Sequence, residues 1–368
     1  MKNLIIFSLE PLETRYTAQW HTHLPKIFSE RLGYKFNIIQ IDGETNSGVP
    51  TQGAFLDFLS TNQWKNEQVN KFFSMVKDGV IGKGDHILFT DAWNPTIIEV
   101  KYVNDLMDMK WVTHGMFHSG SYDPQDFLGR LIGDKPWVRH AEKSFFNCYD
   151  HNYFATDFHI HMFIRNIFGA WFDDSALHSQ REEWIRTKKV VRTGWPMEYM
   201  EATMDPYKGK MKTNTILFPH RLAPEKQLEI FLDLAKHIPE ASFIVCQEQK
   251  LTKHQYHTLL GEAKIVFSAS LQETLGISMY EGALVDAVPL VPNRLSYTEM
   301  YPDKFKYPQE WTESWGHYEQ NREHLVAHIR SILDSHDKYV PLCRELSKTL
   351  TQDFFSANGI VETINELR

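Results

Sequence analysis

Short apolar segments alternate with longer amphipathic segments along the first half of the chain. Leu4–Ser8, Lys35–Ile41 and His86–Thr90 are mostly apolar and have the length of strands, whereas Arg15–Leu32 and Asn66–Val80 repeat apolar residues at the spacing of a helix face. Strands that alternate with helices are typical of a parallel sheet with helices on both faces. The pattern therefore predicts a doubly wound α/β fold.

The same alternation continues to residue 292, and a chain of 368 residues is expected to form two domains. Passages with glycine, proline and lysine at 194–196 and 208–210 mark the boundary between them. We therefore expect a first domain at 1–205 and a second at 206–350. The other predicted elements of the first half are helices at Pro95–Met107 and Val138–Cys148 and strands at Trp111–Thr113, Tyr153–Thr156 and Lys189–Thr193.

Two basic side chains follow a predicted strand of the second half, Thr215–Pro219. Arg221 and Lys226 stand five positions apart, and a helix is expected from Glu225 onward. Arginine offers a planar fork to phosphate oxygens, and lysine offers a point charge. Because open α/β sheets bind ligands at the carboxyl ends of their strands, the two cations predict a diphosphate site.

Two carboxylates follow a later predicted strand, Lys264–Ala269. Glu273 lies in the polar loop after it, and Glu281 lies eight positions further on, in a helix expected from Thr274 onward. A carboxylate accepts two hydrogen bonds from neighbouring hydroxyls, which suits a ribose diol or a sugar ring. The spacing of the two glutamates alone is typical of a solvated helix face. The nucleotide-sugar site is indicated by the basic pair and the acidic pair together, in this order and each just after a strand. The backbone N–H groups of the expected helix start would add an anion site at Thr274, Leu275 and Gly276.

Residues 213–300 resemble the donor-binding half of retaining GT-B glycosyltransferases, which carry an Arg-x4-Lys and a Glu-x7-Glu in this order. The resemblance implies a GT-B fold, in which two Rossmann-like domains face a central cleft, the first domain binds the acceptor and residues 351–368 return to it as a helix. It implies a nucleoside diphosphate sugar, with UDP as the expected nucleotide, as co-substrate, with no metal ion and no tightly bound cofactor. Arg221 and Lys226 would neutralise the diphosphate, Glu281 would bind the ribose, and Glu273 would bind the transferred sugar.

The match departs from the family pattern in two places. The turn that usually ends in Gly-x-Pro is replaced by Val285–Pro289, which is one residue longer. The segment in which the nucleobase is normally recognised is short, at 247–263. The sequence therefore leaves the base of the donor open.

Loops at predicted strand ends of the first domain carry the remaining candidates. GT-B enzymes often place a histidine after a corresponding strand; His114 is the better positional match and His118 the alternative, and a purely structural histidine is equally open for each. Asp91 is a candidate general base, or only the N-cap of the helix at Pro95. Arg15 is a candidate for a further phosphate contact. The candidate acceptor-binding residues are Trp93, Tyr122 and Asp123.

The net charge of −8 argues against a general nucleic-acid-binding protein, although basic segments such as 186–192 and 208–212 leave room for a local groove. No apolar run approaches the roughly 18 residues of a membrane span, so we expect a cytoplasmic protein with no membrane partner. The cysteines are far apart and show no spacing typical of zinc, so we expect reduced thiols and no metal site. They are Cys148, Cys246 and Cys343.

The segments Phe89–Asn94, His114–Arg130 and Thr193–Tyr199 resemble glycosyltransferase-like proteins of tailed phages. This resemblance implies 5-hydroxymethylcytosine in duplex phage DNA as the acceptor, reached in the host cytoplasm, and the Glu-x7-Glu implies retention of the anomeric configuration. A glycan or glycolipid is the alternative acceptor. A nucleotide-sugar epimerase or an inactive GT-B binding module is the further alternative. The sequence leaves the sugar and the oligomeric state open.

Overall fold

The computed structural model describes residues 1–12, 15–44, 57–169 and 174–366. Within it the chain forms two compact units, one made of residues 1–197 and 356–368 and the other of residues 198–355. The passages between the units therefore lie a few residues from the expected boundaries at 205/206 and 350/351.

A six-stranded parallel sheet forms the centre of the first unit, with the spatial order β2-β1-β3-β4-β5-β6. Its strands are almost wholly buried near the middle of the sheet, as expected where helices cover both faces. The strands are β1 (Lys2–Phe7), β2 (Phe36–Ile41), β3 (His86–Phe89), β4 (Val112–Phe117), β5 (His151–Phe154) and β6 (Val190–Arg192). The helices are α1 (Thr17–Leu32), α2 (Phe58–Lys77), α3 (Ile97–Leu106), α4 (Phe127–Ile132), α5 (Pro136–Cys148), α6 (Asp157–Phe168) and α7 (Asp174–Arg186).

The second unit contains a five-stranded parallel sheet with the spatial order β11-β10-β9-β7-β8. Its strands are β7 (Thr213–Phe218), β8 (Ser242–Val245), β9 (Ala263–Phe267), β10 (Val288–Pro292) and β11 (Lys306–Tyr307). Its helices are α8 (Tyr199–Met204), α9 (Leu228–His237), α10 (Lys253–Glu262), α11 (Ile277–Leu284), α12 (Tyr297–Met300), α13 (Trp315–Asp334) and α14 (His336–Asp353). The predicted fold class, two Rossmann-like α/β domains built on parallel sheets, is confirmed.

The last helix, α15 (Asn358–Glu366), belongs to the first unit. It packs against α1, where Arg31 donates a hydrogen bond of 2.5 Å to the Asn358 side chain. A Cβ atom on Gly359 would lie 2.8 Å from the Cα atom of Thr193, just after β6. The absence of a side chain at Gly359 thus permits the close approach of this helix to the sheet.

Two differences from the predicted elements have clear causes. The strand β4 was predicted to end at Thr113 because His114 and Gly115 break its apolar pattern. It runs to Phe117, since both residues still pair with the neighbouring strands. The helix α7 was not predicted. None of its described residues is fully buried, and it packs on the core through the partly buried Leu177 and Trp184, which are too few to give a clear periodicity.

The longer turn at Val285–Pro289 is built around Asp286, whose φ of 62° lies in the left-handed region. A non-glycine residue there is strained, and hydrogen bonds from α14, which is distant along the chain, hold the turn. Arg344 donates to both carboxylate oxygens of Asp286, at 3.2 and 3.0 Å, and His336 donates to its carbonyl oxygen at 2.9 Å. The aspartate therefore occupies a backbone conformation that more often requires glycine.

Gly115 lies where β4 meets the buried ring of Tyr149, and this contact allows a test of the packing in the first unit. A Cβ atom on Gly115 would lie 2.6 Å from the Tyr149 ring. We expect Gly115→Ala to lower the free energy of unfolding by about 1–3 kcal/mol, because overpacking displaces the ring. Urea denaturation measures this change. Gly82→Ala is the control, since nothing lies within 4 Å of a Cβ atom there; equal stability losses in both variants would contradict the packing argument.

Candidate functional site

The loop after β7 carries Arg221 and Lys226, but the helix that follows begins later than predicted. Pro224–Lys226 forms a 3₁₀ turn, Gln227 has a φ of 53°, and α9 begins at Leu228 rather than at Glu225. The Arg221 guanidinium donates to Glu225 Oε1 at 3.1 Å from Nε and at 2.5 Å from Nη2. Burial raises the pKa of Glu225, but Arg221, a backbone hydrogen bond and the Lys226 charge together outweigh burial and hold that pKa below its usual value. The arginine is thus held beside an ionised carboxylate.

Lys226 joins this loop to the loop after β9. Its Nζ atom donates to the backbone oxygen of Gln272 at 2.5 Å and lies 3.4 Å from Glu273 Oε2. The lysine side chain is 6% exposed and that of Glu273 is 19% exposed. Burial raises the pKa of Glu273, but the Lys226 charge, the neighbouring His220 and backbone hydrogen bonds from Leu275 and Gly276 together outweigh burial, so the pKa is lowered and the carboxylate stays ionised. The two sequence motifs therefore meet at a largely buried ion pair.

The helix after Glu273 also begins later than predicted. Gly276 has a φ of 77° and precedes α11, which begins at Ile277 rather than at Thr274. The N–H groups of Thr274 and Leu275 lie 3.2 and 3.4 Å from Glu273 Oε1. The amides expected to form an anion site at the helix start therefore already contact an anion, the chain's own carboxylate.

Glu281 lies on α11 and is bound by a residue that the sequence analysis did not single out. Tyr256, on α10, donates a hydrogen bond of 2.9 Å to Glu281 Oε2. Burial raises the pKa of Glu281 to about 7, against the opposing effects of the Tyr256 hydrogen bond and the Lys253 charge. This carboxyl group therefore exchanges a proton near neutral pH, unlike Glu273.

His220 is a second residue that the sequence analysis missed, although it directly precedes Arg221. Its side chain is buried and packs edge-on against Phe218, with 5.1 Å between the ring centroids. Its Nε2 atom has no hydrogen-bond partner among the described residues. Its pKa is lowered to about 3, chiefly by burial and next by the charge of Lys226. Its position directly before the arginine of the Arg-x4-Lys motif was the sequence signal that could have identified it as a site residue.

In the first unit, His114 lies inside β4 and is completely buried. Its Nδ1 atom hydrogen-bonds to the Tyr153 hydroxyl at 2.7 Å and its Nε2 atom to His86 Nδ1 at 3.1 Å. Its ring also stacks on that of His151, with 5.2 Å between centroids. Both ring nitrogens are therefore occupied within a row of buried side chains.

His118 follows the end of β4 and is partly exposed. Its Nε2 atom donates to the Thr90 backbone oxygen at 2.5 Å, and its Nδ1 atom accepts from the Tyr16 hydroxyl at 2.9 Å. Trp195 packs on the ring, with 4.3 Å between centroids. Burial lowers the pKa of His118 to about 4, so the ring is neutral at neutral pH.

Asp91 and Arg15 line a polar pocket at the carboxyl ends of β1 and β3. Asp91 accepts hydrogen bonds from Lys65 Nζ at 3.1 Å and from the Trp93 N–H at 3.0 Å. It does not cap the following helix: α3 begins at Ile97, and Thr96 precedes it without a side-chain cap. Burial raises the pKa of Asp91, but Lys65, His118 and the Trp93 N–H together outweigh burial, so the pKa is lowered and the carboxylate stays ionised. The other charged or polar lining residues are Ser8, Glu10, Thr61, Lys65, Gln68 and Asn94.

The three candidate acceptor-binding residues lie in different environments. Tyr122 is buried, and its hydroxyl hydrogen-bonds to His159 Nε2 at 2.6 Å. Asp123 is also buried and accepts from the Gln125 N–H at 2.9 Å. Trp93 is partly exposed, and its Nε1 atom donates to the buried Glu142 carboxylate at 2.8 Å. Of the three, Trp93 has the surface that a bound molecule could contact.

No family model matches the chain, and no curated protein matches it in sequence. Solved structures match it over its whole length. Sucrose-phosphate synthase from Thermosynechococcus elongatus has a TM-score of 0.59 and 11% identity, over 100% of this chain and 98% of that chain. Anabaena HepE in complex with UDP and glucose has a TM-score of 0.57 and 12% identity, over 100% of both chains. The catalytic domain of starch synthase IV from Arabidopsis thaliana, bound to ADP and acarbose, has a TM-score of 0.55 and 11% identity, over 99% of this chain and 97% of that chain.

The protein has the GT-B fold. At these identities the likeness concerns the fold alone, so the site must be argued from its own residues. Across residues 1–12, 15–44, 57–169 and 174–366, no group of three or more His, Cys, Asp or Glu side chains is placed to hold a metal ion. In the same ranges, every helix is too short or too polar to cross a bilayer.

The raised pKa of Glu281 makes stability depend on pH. The folded chain holds this proton more tightly than the unfolded chain, so the stabilisation is complete below pH 4.5 and is lost as the pH rises to about 7. The variant Glu281→Gln has no titrating carboxyl group at this position, so it does not lose this stabilisation as the pH rises. Relative to the parent, we expect the variant to gain up to about 3 kcal/mol of unfolding free energy between about pH 5 and about pH 8. Urea denaturation at both pH values measures the gain.

Tyr256→Phe supplies the second arm of this test. The tyrosine hydrogen bond lowers the pKa of Glu281, so its removal should move the loss of stability to higher pH. A pH-independent difference between parent and Glu281→Gln would show that the carboxyl group does not titrate near neutrality.

Proposed function

We propose that this GT-B protein is a glycosyltransferase that moves a sugar from a nucleoside diphosphate sugar to a hydroxyl acceptor. One observation carries the proposal: the loops that hold the Arg-x4-Lys and the Glu-x7-Glu are joined where Lys226 Nζ lies 3.4 Å from Glu273 Oε2. Cations and carboxylates then lie together at the carboxyl ends of β7 and β9, where this class of sheet binds ligands. Structures with the same fold hold UDP or ADP, which supports a nucleoside diphosphate sugar as the donor. The complex with UDP and glucose supports UDP as the expected nucleotide.

The chemical role of the cations follows from the charge that develops during transfer. The diphosphate gains negative charge as the glycosidic bond breaks, and preorganised cations that contact it lower the barrier. Arg221 and Lys226 supply these cations. Each is paired with a carboxylate, Glu225 or Glu273, so it is held in position before a donor binds.

Glu273 and Glu281 would bind the two sugar portions of the donor. Glu273 is ionised and can accept hydrogen bonds from hydroxyls of the transferred sugar. To do so it would release the N–H groups of Thr274 and Leu275, which would then be available to the diphosphate. Glu281, held by Tyr256, would accept from the ribose diol. Retention of the anomeric configuration remains part of the proposal because of the Glu-x7-Glu.

In the first unit we assign acceptor chemistry to the loops after β1, β3 and β4. Both ring nitrogens are hydrogen-bonded in His118 and in His114 alike. His118 is preferred because it lies after the strand end and is partly exposed, whereas His114 is completely buried inside the sheet. Asp91 is the candidate base, with Arg15 lining the same pocket. The domain roles follow: residues 1–205 bind the acceptor and residues 206–350 bind the donor.

Two substitutions should separate the roles of the cation and the ribose carboxylate. We expect Arg221→Ala to lower kcat by about 100-fold with a smaller change in KM, because its contact strengthens as charge develops. We expect Glu281→Ala to raise the donor Kd by about 10-fold or more, because hydrogen bonds to a charged group are lost. Steady-state kinetics and calorimetric titration with UDP-glucose measure the two effects.

The matched control is Lys236→Ala, which removes a largely exposed lysine that pairs with Asp233 on α9. It should leave kcat and the donor Kd unchanged. Parent-like behaviour of both Arg221→Ala and Glu281→Ala would place the donor site elsewhere.

The acceptor is the part of the proposal with two candidates. The phage resemblance supports 5-hydroxymethylcytosine in duplex DNA, whereas the net charge of −8 disfavours a long DNA contact. Sucrose-phosphate synthase and starch synthase, which share the fold, have carbohydrate products in their names and support the glycan alternative. The two candidates can be distinguished because the transferred sugar would add its mass either to a DNA base or to a glycan.

A single panel distinguishes the candidates. The protein is incubated with UDP-glucose, UDP-N-acetylglucosamine, ADP-glucose or GDP-mannose, together with duplex DNA that contains 5-hydroxymethylcytosine or with a mixture of oligosaccharides. Mass spectrometry then reads nucleosides and glycans. A hexose increment on the base supports the DNA acceptor, and an increment on a glycan supports the alternative. Conversion of the donor sugar without an acceptor would instead support the epimerase hypothesis.

A further inference from the structure

The donor-side loops contain a buried polar atom whose hydrogen-bonding capacity the chain does not use. His220 follows β7 by two residues and directly precedes Arg221, and only 5% of the residue is exposed. Its Nε2 atom has no partner within the described ranges, 1–12, 15–44, 57–169 and 174–366. Buried polar side chains are almost always paired, so an unpaired one calls for an explanation such as a missing ligand.

The other ring nitrogen shows what kind of partner Nε2 requires. The His220 ring hydrogen-bonds to the backbone of Phe267, in a way that favours the protonated ring. Because Nε2 is unpaired, Nδ1 makes this bond and donates its proton to the carbonyl. The neutral ring then presents a lone pair at Nε2, so this atom can only accept. Its missing partner is a hydrogen-bond donor.

The surroundings of the ring decide which part of a ligand would supply that donor. The charges of Lys226, Glu273 and Arg221 all act on the ring, so His220 lies among the residues that form the donor site. The diphosphate of a sugar nucleotide is esterified at both ends and has no proton to donate at neutral pH, and its oxygens would repel the Nε2 lone pair. Sugar hydroxyls do have such protons, and Glu273 is the side chain assigned to the sugar.

We propose that His220 reads the transferred sugar: its Nε2 atom accepts a hydrogen bond from one hydroxyl of the sugar carried by the nucleoside diphosphate. This inference rests on the proposed function and adds a specificity-determining residue within the same site. A sugar that lacks this hydroxyl leaves the buried Nε2 atom unpaired and binds more weakly. The residue therefore selects among donor sugars, while the cations bind the diphosphate that all such donors share.

Two substitutions separate the two ring nitrogens. His220→Asn keeps an N–H group near the position of Nδ1, where it can bond to the Phe267 backbone, but has no atom at the position of Nε2. His220→Gln places an amide near the position of Nε2, where its oxygen can accept from a hydroxyl. Calorimetric titration measures the Kd of each variant for the best-binding sugar nucleotide of the panel and for the matching free nucleoside diphosphate.

We expect His220→Asn to raise the Kd for the sugar nucleotide by about 10-fold and to leave the Kd for the free diphosphate unchanged. His220→Gln should recover part of the loss. In the parent, one member of a series of 2-, 3-, 4- and 6-deoxy donors should lose about 10-fold, and His220→Asn should cause no further loss with that member. This non-additivity identifies the hydroxyl.

Other outcomes overturn the inference. A parent-like Kd in His220→Asn, or an equal loss for the sugar nucleotide and the free diphosphate, would show that His220 does not read the sugar. If His220→Asn does not fold, His220→Phe replaces it, because the phenyl ring fills similar space without an acceptor at the position of Nε2; a parent-like deoxy profile in that variant rejects the proposal. If the parent binds none of the sugar nucleotides or free diphosphates, the proposed function itself fails, and the inference fails with it.

Discussion

The contact between Lys226 and Glu273 is the interaction on which the donor-side loops depend. A largely buried ion pair is favourable only when both charges also have their remaining hydrogen bonds. The Gln272 backbone oxygen supplies one for the lysine, and the N–H groups of Thr274 and Leu275 supply those for the glutamate. The loop after β7 and the loop after β9 therefore hold each other in place, and neither conformation follows from its own sequence.

The ionisable side chains of the candidate donor site fall into two kinds. Arg221 and Lys226 each have a carboxylate of their own, so in this state their charges are already balanced. Glu281 and His220 are different, because the pKa of Glu281 is about 7 and the Nε2 atom of His220 has no hydrogen-bond partner in the described part of the chain. A bound donor would change the hydrogen bonding of the second kind most. The affinities for different donors should therefore depend most on those two residues.

The first unit shows why a histidine near a strand end is difficult to interpret from sequence. His114 and His118 are four positions apart and differ little in their neighbours along the chain. One lies in a buried row with His86 and Tyr153, and the other lies beyond the strand end against Trp195. The difference arises because β4 continues through Gly115, where the missing side chain makes room for the Tyr149 ring.

The sequence alone determined the alternation of strands and helices, hence the parallel α/β fold, and it placed both charged motifs directly after strands. Those features depend on residues within one or two turns, which periodicity reveals. Only the tertiary structure decided that α11 begins at Ile277, that Tyr256 binds Glu281 and that a ring nitrogen of His220 finds no partner among the described residues. The reason is physical: the partner of a buried polar group lies in a segment distant along the chain, and only folding brings the two together.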